Sequence, residues 1–89
     1  MEKYIRNSRT ISGRLHDELV MMNPEQGRYF SLNPVATRIW DLLEVPQSPD
    51  ELSVALIEEY EVSYEQCRME VAEYLENMVS LGLITRMVV

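Results

Sequence analysis

The sequence predicts an α+β fold in which a three-stranded antiparallel sheet is followed by three helices. The first third of the 89 residues mixes β-branched and aromatic residues with polar ones in short runs. The rest places apolar residues at helical spacing, in segments that begin with helix-capping residues. An Asn33-Pro34 junction separates the two parts, because Asn is a strong N-cap and Pro suits the first helical turn. The chain is too short for a second core, so residues 1–89 are predicted to form one domain.

Short strands are predicted before the junction. Residues 4–13 predict one weak strand or two short ones ending at Gly13, and residues 15–22 predict a stronger strand. Residues 23–27 have Pro and Gly at positions typical of a turn, so residues 28–32 are expected to return as the hairpin partner. This partner strand comes late in a small sheet, where one edge could stay open to another chain.

Three helices are predicted after the junction. The first spans about 34–44. Ser48 begins a second helix that ends before Val62, and Ser63 begins a third. Each of these Ser residues is followed three positions later by Glu or Gln, which is the pattern of a capping box.

The third helix is predicted to run to about Leu81. Gly82 is then well placed to form a left-handed C-terminal cap, and residues 83–88 follow as a short closing strand or an apolar tail. The helices therefore read as a helix-turn-helix with a wing-like end. The third helix has one apolar stripe, formed by Cys67, Val71, Tyr74, Leu75 and Met78.

The formal net charge of −7 is unevenly distributed along the chain. Residues 1–40 contain six basic and four acidic residues, whereas residues 41–89 contain two basic and eleven acidic ones. A helical half with this balance repels phosphate backbones, and a recognition helix needs basic side chains. The charge argues against nucleic acid as a partner, and a winged-helix DNA-binding regulator is kept only as an alternative.

Few residues have the chemistry of a catalytic or metal site. His16 is the only imidazole, and no pattern supplies a nucleophile or an orienting group for it. Cys67 falls on the apolar stripe, where a packing role is usual. We therefore expect no enzymatic activity, no metal and no cofactor.

No apolar run approaches the roughly 18 residues of a membrane span. The N-terminus is charged and lacks the apolar centre of a signal peptide. We expect a cytoplasmic protein without a membrane partner.

The run Gly-Arg-Tyr-Phe-Ser-Leu-Asn-x-x-Ala-x-x-Ile-Trp-x-Leu-Leu at 27–43 resembles the PqqD-like family of RiPP recognition elements. Ser48-Pro-Asp-Glu-Leu52, Val71-x-x-Tyr-Leu-x-x-Met78 and Gly82-Leu-Ile84 continue the resemblance in the same order. It covers about residues 10–86, with Met22 and Asn23 where the family often has Leu and Asp.

The resemblance implies a stand-alone protein that captures the N-terminal leader of a ribosomally made precursor peptide and presents it to modifying enzymes. The partners implied are the precursor, a leader peptidase and a macrocyclase of lasso-peptide biosynthesis. The alternative it implies is a peptide chaperone for a radical enzyme in a pyrroloquinoline quinone pathway.

We expect the leader to add as an antiparallel strand at the free edge of residues 28–32, beside the last helix. The predicted peptide-binding residues are Arg28, Tyr29, Phe30 and Ser31 on the edge, Cys67, Val71, Tyr74 and Met78 on the helix, and Glu70 as a rim charge.

Overall fold

Two antiparallel sheets and three helices form the part of the chain that the structure describes, residues 1–16, 18–25 and 27–88 of a computed structural model. The elements, in chain order, are β1 (Glu2–Arg6), β2 (Ile11–Leu15), β3 (Glu18–Asn23), β4 (Arg28–Leu32), α1 (Pro34–Leu42), α2 (Pro49–Glu59), α3 (Tyr64–Ser80) and β5 (Ile84–Val88). Asp17 in the predicted second strand, Gln26 in the predicted turn and Val89 lie outside the described residues.

The larger sheet has three antiparallel strands in the order β2-β3-β4. β3 pairs with β4 so that Met21 lies opposite Phe30 and Asn23 lies opposite Arg28. Three helices follow this sheet, so the predicted α+β class is confirmed, and the winged helix-turn-helix is a loose analogy for it.

The smaller sheet joins the two ends of the chain. β1 pairs with β5 in antiparallel register, with Tyr4 opposite Arg86. Residues 4–13 therefore contribute to two separate strands, and residues 83–88 provide a closing strand. Both outcomes were among the alternatives that the sequence predicted.

The turn between β2 and β3 differs from the prediction. β2 continues through Gly13 to Leu15, and β3 begins only at Glu18, so His16 does not lie in a strand as expected. The physical reason is that His16 adopts a left-handed backbone conformation with φ of 59°, which ends an extended strand.

Side-chain caps define the helix starts. The Asn33 side chain accepts a hydrogen bond from the Ala36 N–H at 2.9 Å, and Ser48 exchanges both bonds of a capping box with Glu51. The predicted second box is only half formed: Ser63 accepts from the Gln66 N–H, but the Gln66 side chain donates to Glu70 instead.

The core lies between the helices and the inner faces of both sheets. α1 contributes Ile39 and Trp40, and β3 contributes Met21. The other buried apolar residues of the core are Tyr4, Leu19, Leu43, Leu52, Leu56, Cys67, Val71, Leu75, Met78, Leu83 and Ile84. Because Leu19 and Met21 share one face of β3, the larger sheet is anchored through that face.

Candidate functional site

β4 forms an open edge of the larger sheet. It pairs with β3 on one side, and no other strand pairs with it within the described residues. An edge strand presents a row of backbone N–H and C=O groups that only solvent satisfies. This row can accept the backbone of another chain.

A groove of about 410 Å³ adjoins the C-terminal end of β4. Val35, at the start of α1, forms one wall, and α3 provides the rest of the lining with Glu70, Glu73, Tyr74 and Asn77. The groove therefore begins three residues after the last residue of the open strand.

Two hydrogen bonds fix the direction of β4 relative to α3. Asn23, paired with Arg28 at the start of β4, donates its Nδ2 to the carbonyl of Leu81 at 3.3 Å. Asn33, directly after β4, donates its Nδ2 to the Tyr74 hydroxyl at 2.8 Å. β4 thus runs from the C-terminal end of α3 towards the middle of that helix.

The residues predicted on the edge are mostly exposed. Arg28 and Ser31 are exposed, and Tyr29 is 74% exposed, on the outer face of the sheet. Phe30 is half-buried against the core, and the Arg28 guanidinium lies 5.6 Å from its ring centroid. The Ser31 hydroxyl donates to Glu18 at 3.0 Å.

The residues predicted on α3 separate into two groups. Glu70 is exposed and Tyr74 is half-buried, and both line the groove. Cys67, Val71 and Met78 are at most 4% exposed and belong to the core behind the groove. Contact of these three side chains with a bound peptide stays a prediction.

Three groove residues were not predicted, namely Val35, Glu73 and Asn77. Helical spacing could have indicated two of them, since positions 73 and 77 lie on the same face of α3 as Glu70 and Tyr74. Val35 had no such signal, because its position beside α3 depends on how α1 packs.

The surroundings of Cys67 do not activate its thiol as a nucleophile. Its pKa is raised by burial and, to a smaller extent, by the negative charge of Glu70. A raised pKa leaves little thiolate at neutral pH, and the thiolate is the nucleophilic form. Cys67 can therefore serve the site by packing.

A second hollow, of about 350 Å³, lies on the outer face of the larger sheet. Ile11, Val20, Met22 and Tyr29 contribute apolar side chains, and Gly13 leaves open space where a Cβ would lie. A strand added to β4 would extend this face, because every second residue of the new strand would point to the same side.

Residues 1–16, 18–25 and 27–88 offer neither a cluster of metal ligands nor a helix that could span a membrane. No group of three or more His, Cys, Asp or Glu residues there could hold a metal ion. None of the helices in that part of the chain is both long and apolar enough to cross a bilayer.

Comparison with known proteins gives one family and two solved structures with closely similar folds. A family model described as coenzyme PQQ synthesis protein D (PqqD) matches residues 18–84. The fold is similar to "TbiB1 in Complex with the TbiA(beta) Leader Peptide", with 29% sequence identity and a TM-score of 0.82, covering 90% of this chain and 93% of that chain. It is also similar to "Lasso peptide synthetase B1 complexed with the leader peptide", with 21% identity, a TM-score of 0.82 and coverage of 92% and 96%. The curated proteins give no match.

Proposed function

The chain belongs to the PqqD family, and on this premise we propose that it binds the leader segment of a ribosomally synthesised precursor peptide. The leader adds as an antiparallel strand to β4. The observation that carries the proposal is the open edge of β4 beside a groove walled by α3. The TbiB1 structure supports it, because a chain of 29% identity with the same fold is in complex with a leader peptide.

Backbone pairing supplies register and part of the affinity. Each new hydrogen bond contributes a net free energy of about 0.5–1.5 kcal/mol, and each buried apolar anchor about 1.5–3 kcal/mol. Ordering a disordered leader costs several kcal/mol. The net binding free energy is then around −8 to −10 kcal/mol, which corresponds to a Kd near or somewhat below micromolar.

We assign different roles to the two parts of the site. Backbone groups from Arg28 to Ser31 pair with the leader without regard to its sequence. Selectivity comes from the groove, where Tyr74 offers an aromatic surface and Glu70 a charge at the rim. Cys67, Val71 and Met78 support this wall from behind.

We further propose that the bound precursor is delivered, in the cytoplasm, to a leader peptidase and a macrocyclase of a lasso-peptide pathway. The sequence resemblance described above supports this assignment. The alternative is delivery to a radical enzyme in pyrroloquinoline quinone synthesis, and the description of the family favours it. Reconstitution separates the two: addition of this chain should accelerate leader cleavage by a lasso-pathway peptidase.

The binding proposal is tested with a yeast-displayed library of random peptides long enough to pair with all of β4. Enriched peptides are synthesised and titrated by fluorescence anisotropy against the full chain. Proline lacks the N–H that an added strand would bond, so Tyr29→Pro and Ser31→Pro should weaken binding at least about tenfold. Circular dichroism should report an unchanged fold for both variants.

Ser12→Pro is the matched control, because Ser12 lies in β2, the opposite edge of the same sheet, at a position that alternates with the residues hydrogen-bonded to β3. This variant should leave binding unchanged. Equal affinity of the wild type and both β4 variants would show that peptides do not bind by strand addition to β4.

A further inference from the structure

We infer that the peptide bound at β4 carries opposite charges at its two ends: basic where the paired segment begins and acidic where it ends. This inference rests on the proposed function and adds the chemistry that selects the peptide. It follows from the direction of β4 and from the charges at either end of the site.

The orientation of the bound peptide comes from antiparallel pairing. Its N-terminal residues lie beside Leu32 and Asn33, and its C-terminal residues lie beside Arg28. Asn33 is hydrogen-bonded to Tyr74, so the N-terminal part of the peptide continues along the groove of Glu70 and Glu73.

Arg28 makes the site positive where the C-terminal end of the bound peptide lies. Seven of the eight Lys and Arg side chains lie within 4.0 Å of a carboxylate oxygen: Lys3, Arg6, Arg9, Arg14, Arg38, Arg68 and Arg86. Arg28 forms no such pair within the described residues and instead lies over the Phe30 ring. Arg28 is the first residue of the open strand, and a guanidinium without a carboxylate partner in that part of the chain suits an acidic residue of the guest.

Two carboxylates make the site negative where the N-terminal end of the bound peptide lies. Glu70 and Glu73 are exposed in the groove, and neither is ion-paired in the described part of the chain. Glu70 accepts one hydrogen bond, from the Gln66 amide at 3.3 Å. A Lys or Arg of the guest could reach this end because its long side chain extends past the paired backbone.

The two ends act independently. β4 has five residues, so its ends are separated by about 14 Å at roughly 3.4 Å per residue. This distance exceeds the Debye length of about 8 Å at physiological ionic strength. Each end therefore selects its own charge, and each exposed pair is expected to change the affinity by a factor of about two to five.

The test uses one β4-dependent peptide from the random library, synthesised in two forms. The matched form has Lys before the paired segment and Glu at its end, and the reversed form exchanges them. Against the wild-type chain, the matched peptide should bind about tenfold more tightly at low ionic strength, with a smaller ratio at physiological ionic strength.

Charge-swapped proteins provide the decisive readout. The Arg28→Glu protein should bind the matched peptide more weakly and should prefer a peptide with Lys at its C-terminal end. The Glu73→Lys protein should prefer a peptide with Glu at its N-terminal end. Such rescue by a complementary peptide cannot arise from loss of folding. Arg14→Glu on β2 and Glu58→Lys on α2 are the controls and should keep the wild-type preference.

The outcomes separate this inference from the proposed function. The matched and reversed peptides could bind equally well, and both could lose binding when proline is placed in β4. That result would overturn the charge inference and leave strand addition intact. An absence of any library peptide sensitive to those prolines contradicts the proposed function itself. The inference is also overturned if both the Arg28→Glu protein and the Glu73→Lys protein still prefer the matched peptide over the reversed one.

Discussion

Met78 and Met69 lie on the same helix, and their surroundings decide what each contributes. Met78 is 2% exposed in the core, whereas Met69 is 67% exposed. The side chain of Met78 is therefore surrounded by apolar atoms, while that of Met69 mostly contacts solvent. The predicted stripe of α3 separates in the same way: Tyr74 is only half-buried, and the other four residues are buried.

We predict that Met78→Ala lowers the free energy of unfolding by about 2–5 kcal/mol, because it removes buried atoms and leaves a cavity. Met69→Ala is the matched control and should change it by less than about 0.5 kcal/mol. Urea denaturation monitored by circular dichroism measures both. Similar losses for the two variants would contradict the assignment of Met78 to the core.

At the scale of elements, the start of α2 links stability to pH. The pKa of Glu51 is lowered, mainly because its carboxylate accepts a hydrogen bond from the Ser48 backbone N–H at 2.8 Å. A carboxyl whose pKa is lower in the folded state stabilises the fold above its ordinary pKa of 4.5. That contribution is lost as the pH falls through the lower folded value.

Glu51→Gln keeps the capping hydrogen bond and removes the charge. We expect the wild type to have the higher Tm at neutral pH, with the difference disappearing as the pH falls below 4.5. Differential scanning calorimetry over a pH series measures this. A Tm difference that does not vary with pH would show that the charge of Glu51 is not coupled to folding.

The end of α3 depends on one left-handed residue. Gly82 has a φ of 75°, the Leu83 N–H donates to the Met78 carbonyl at 2.9 Å and the Gly82 N–H donates to the Val79 carbonyl at 3.0 Å. This pattern is a Schellman motif, which turns the chain from α3 into β5. The left-handed cap predicted at this glycine is therefore present.

Gly82→Ala should lower the free energy of unfolding by about 1–2 kcal/mol, because a Cβ disfavours the left-handed conformation. Gly13→Ala provides the comparison: Gly13 has no positive φ, and an added Cβ would meet open space. It should be neutral or slightly stabilising in chemical denaturation. An equal cost at both positions would contradict the role of the Gly82 conformation.

At the scale of the whole molecule, Arg6 ties the N-terminal strand to α1. Its guanidinium donates to the carbonyls of Trp40 at 2.8 Å and Asp41 at 3.2 Å, and lies 4.9 Å from the Trp40 ring centroid. The last turn of α1 contains no basic residue of its own. A cation from β1 therefore satisfies carbonyls at the negative end of this helix.

Arg6→Met retains most of the aliphatic packing but removes the charge and both donors. We expect a loss of about 1–3 kcal/mol in the free energy of unfolding. Arg9→Met should cost less than about 1 kcal/mol, since its ion pair with Glu25 is exposed. Guanidinium denaturation compares the two variants, and equal losses would show that Arg6 acts only as a surface charge.

The sequence by itself determined the features that depend on local chemistry. Helix starts at Asn33, Ser48 and Ser63 follow from capping, and the end of α3 follows from Gly82, because these hydrogen bonds join residues within one or two turns. The buried stripe and the last position of β4 in its sheet could also be predicted, from helical periodicity and from chain order.

Only the tertiary structure decided which distant residues meet. The pairing of β1 with β5, the contact of Arg6 with the end of α1 and the position of Val35 in the groove join segments far apart in the chain. No local pattern encodes such contacts, because they form only when the helices pack on the core. The same packing places Cys67, Val71 and Met78 behind the groove and leaves Glu70 and Glu73 at its surface.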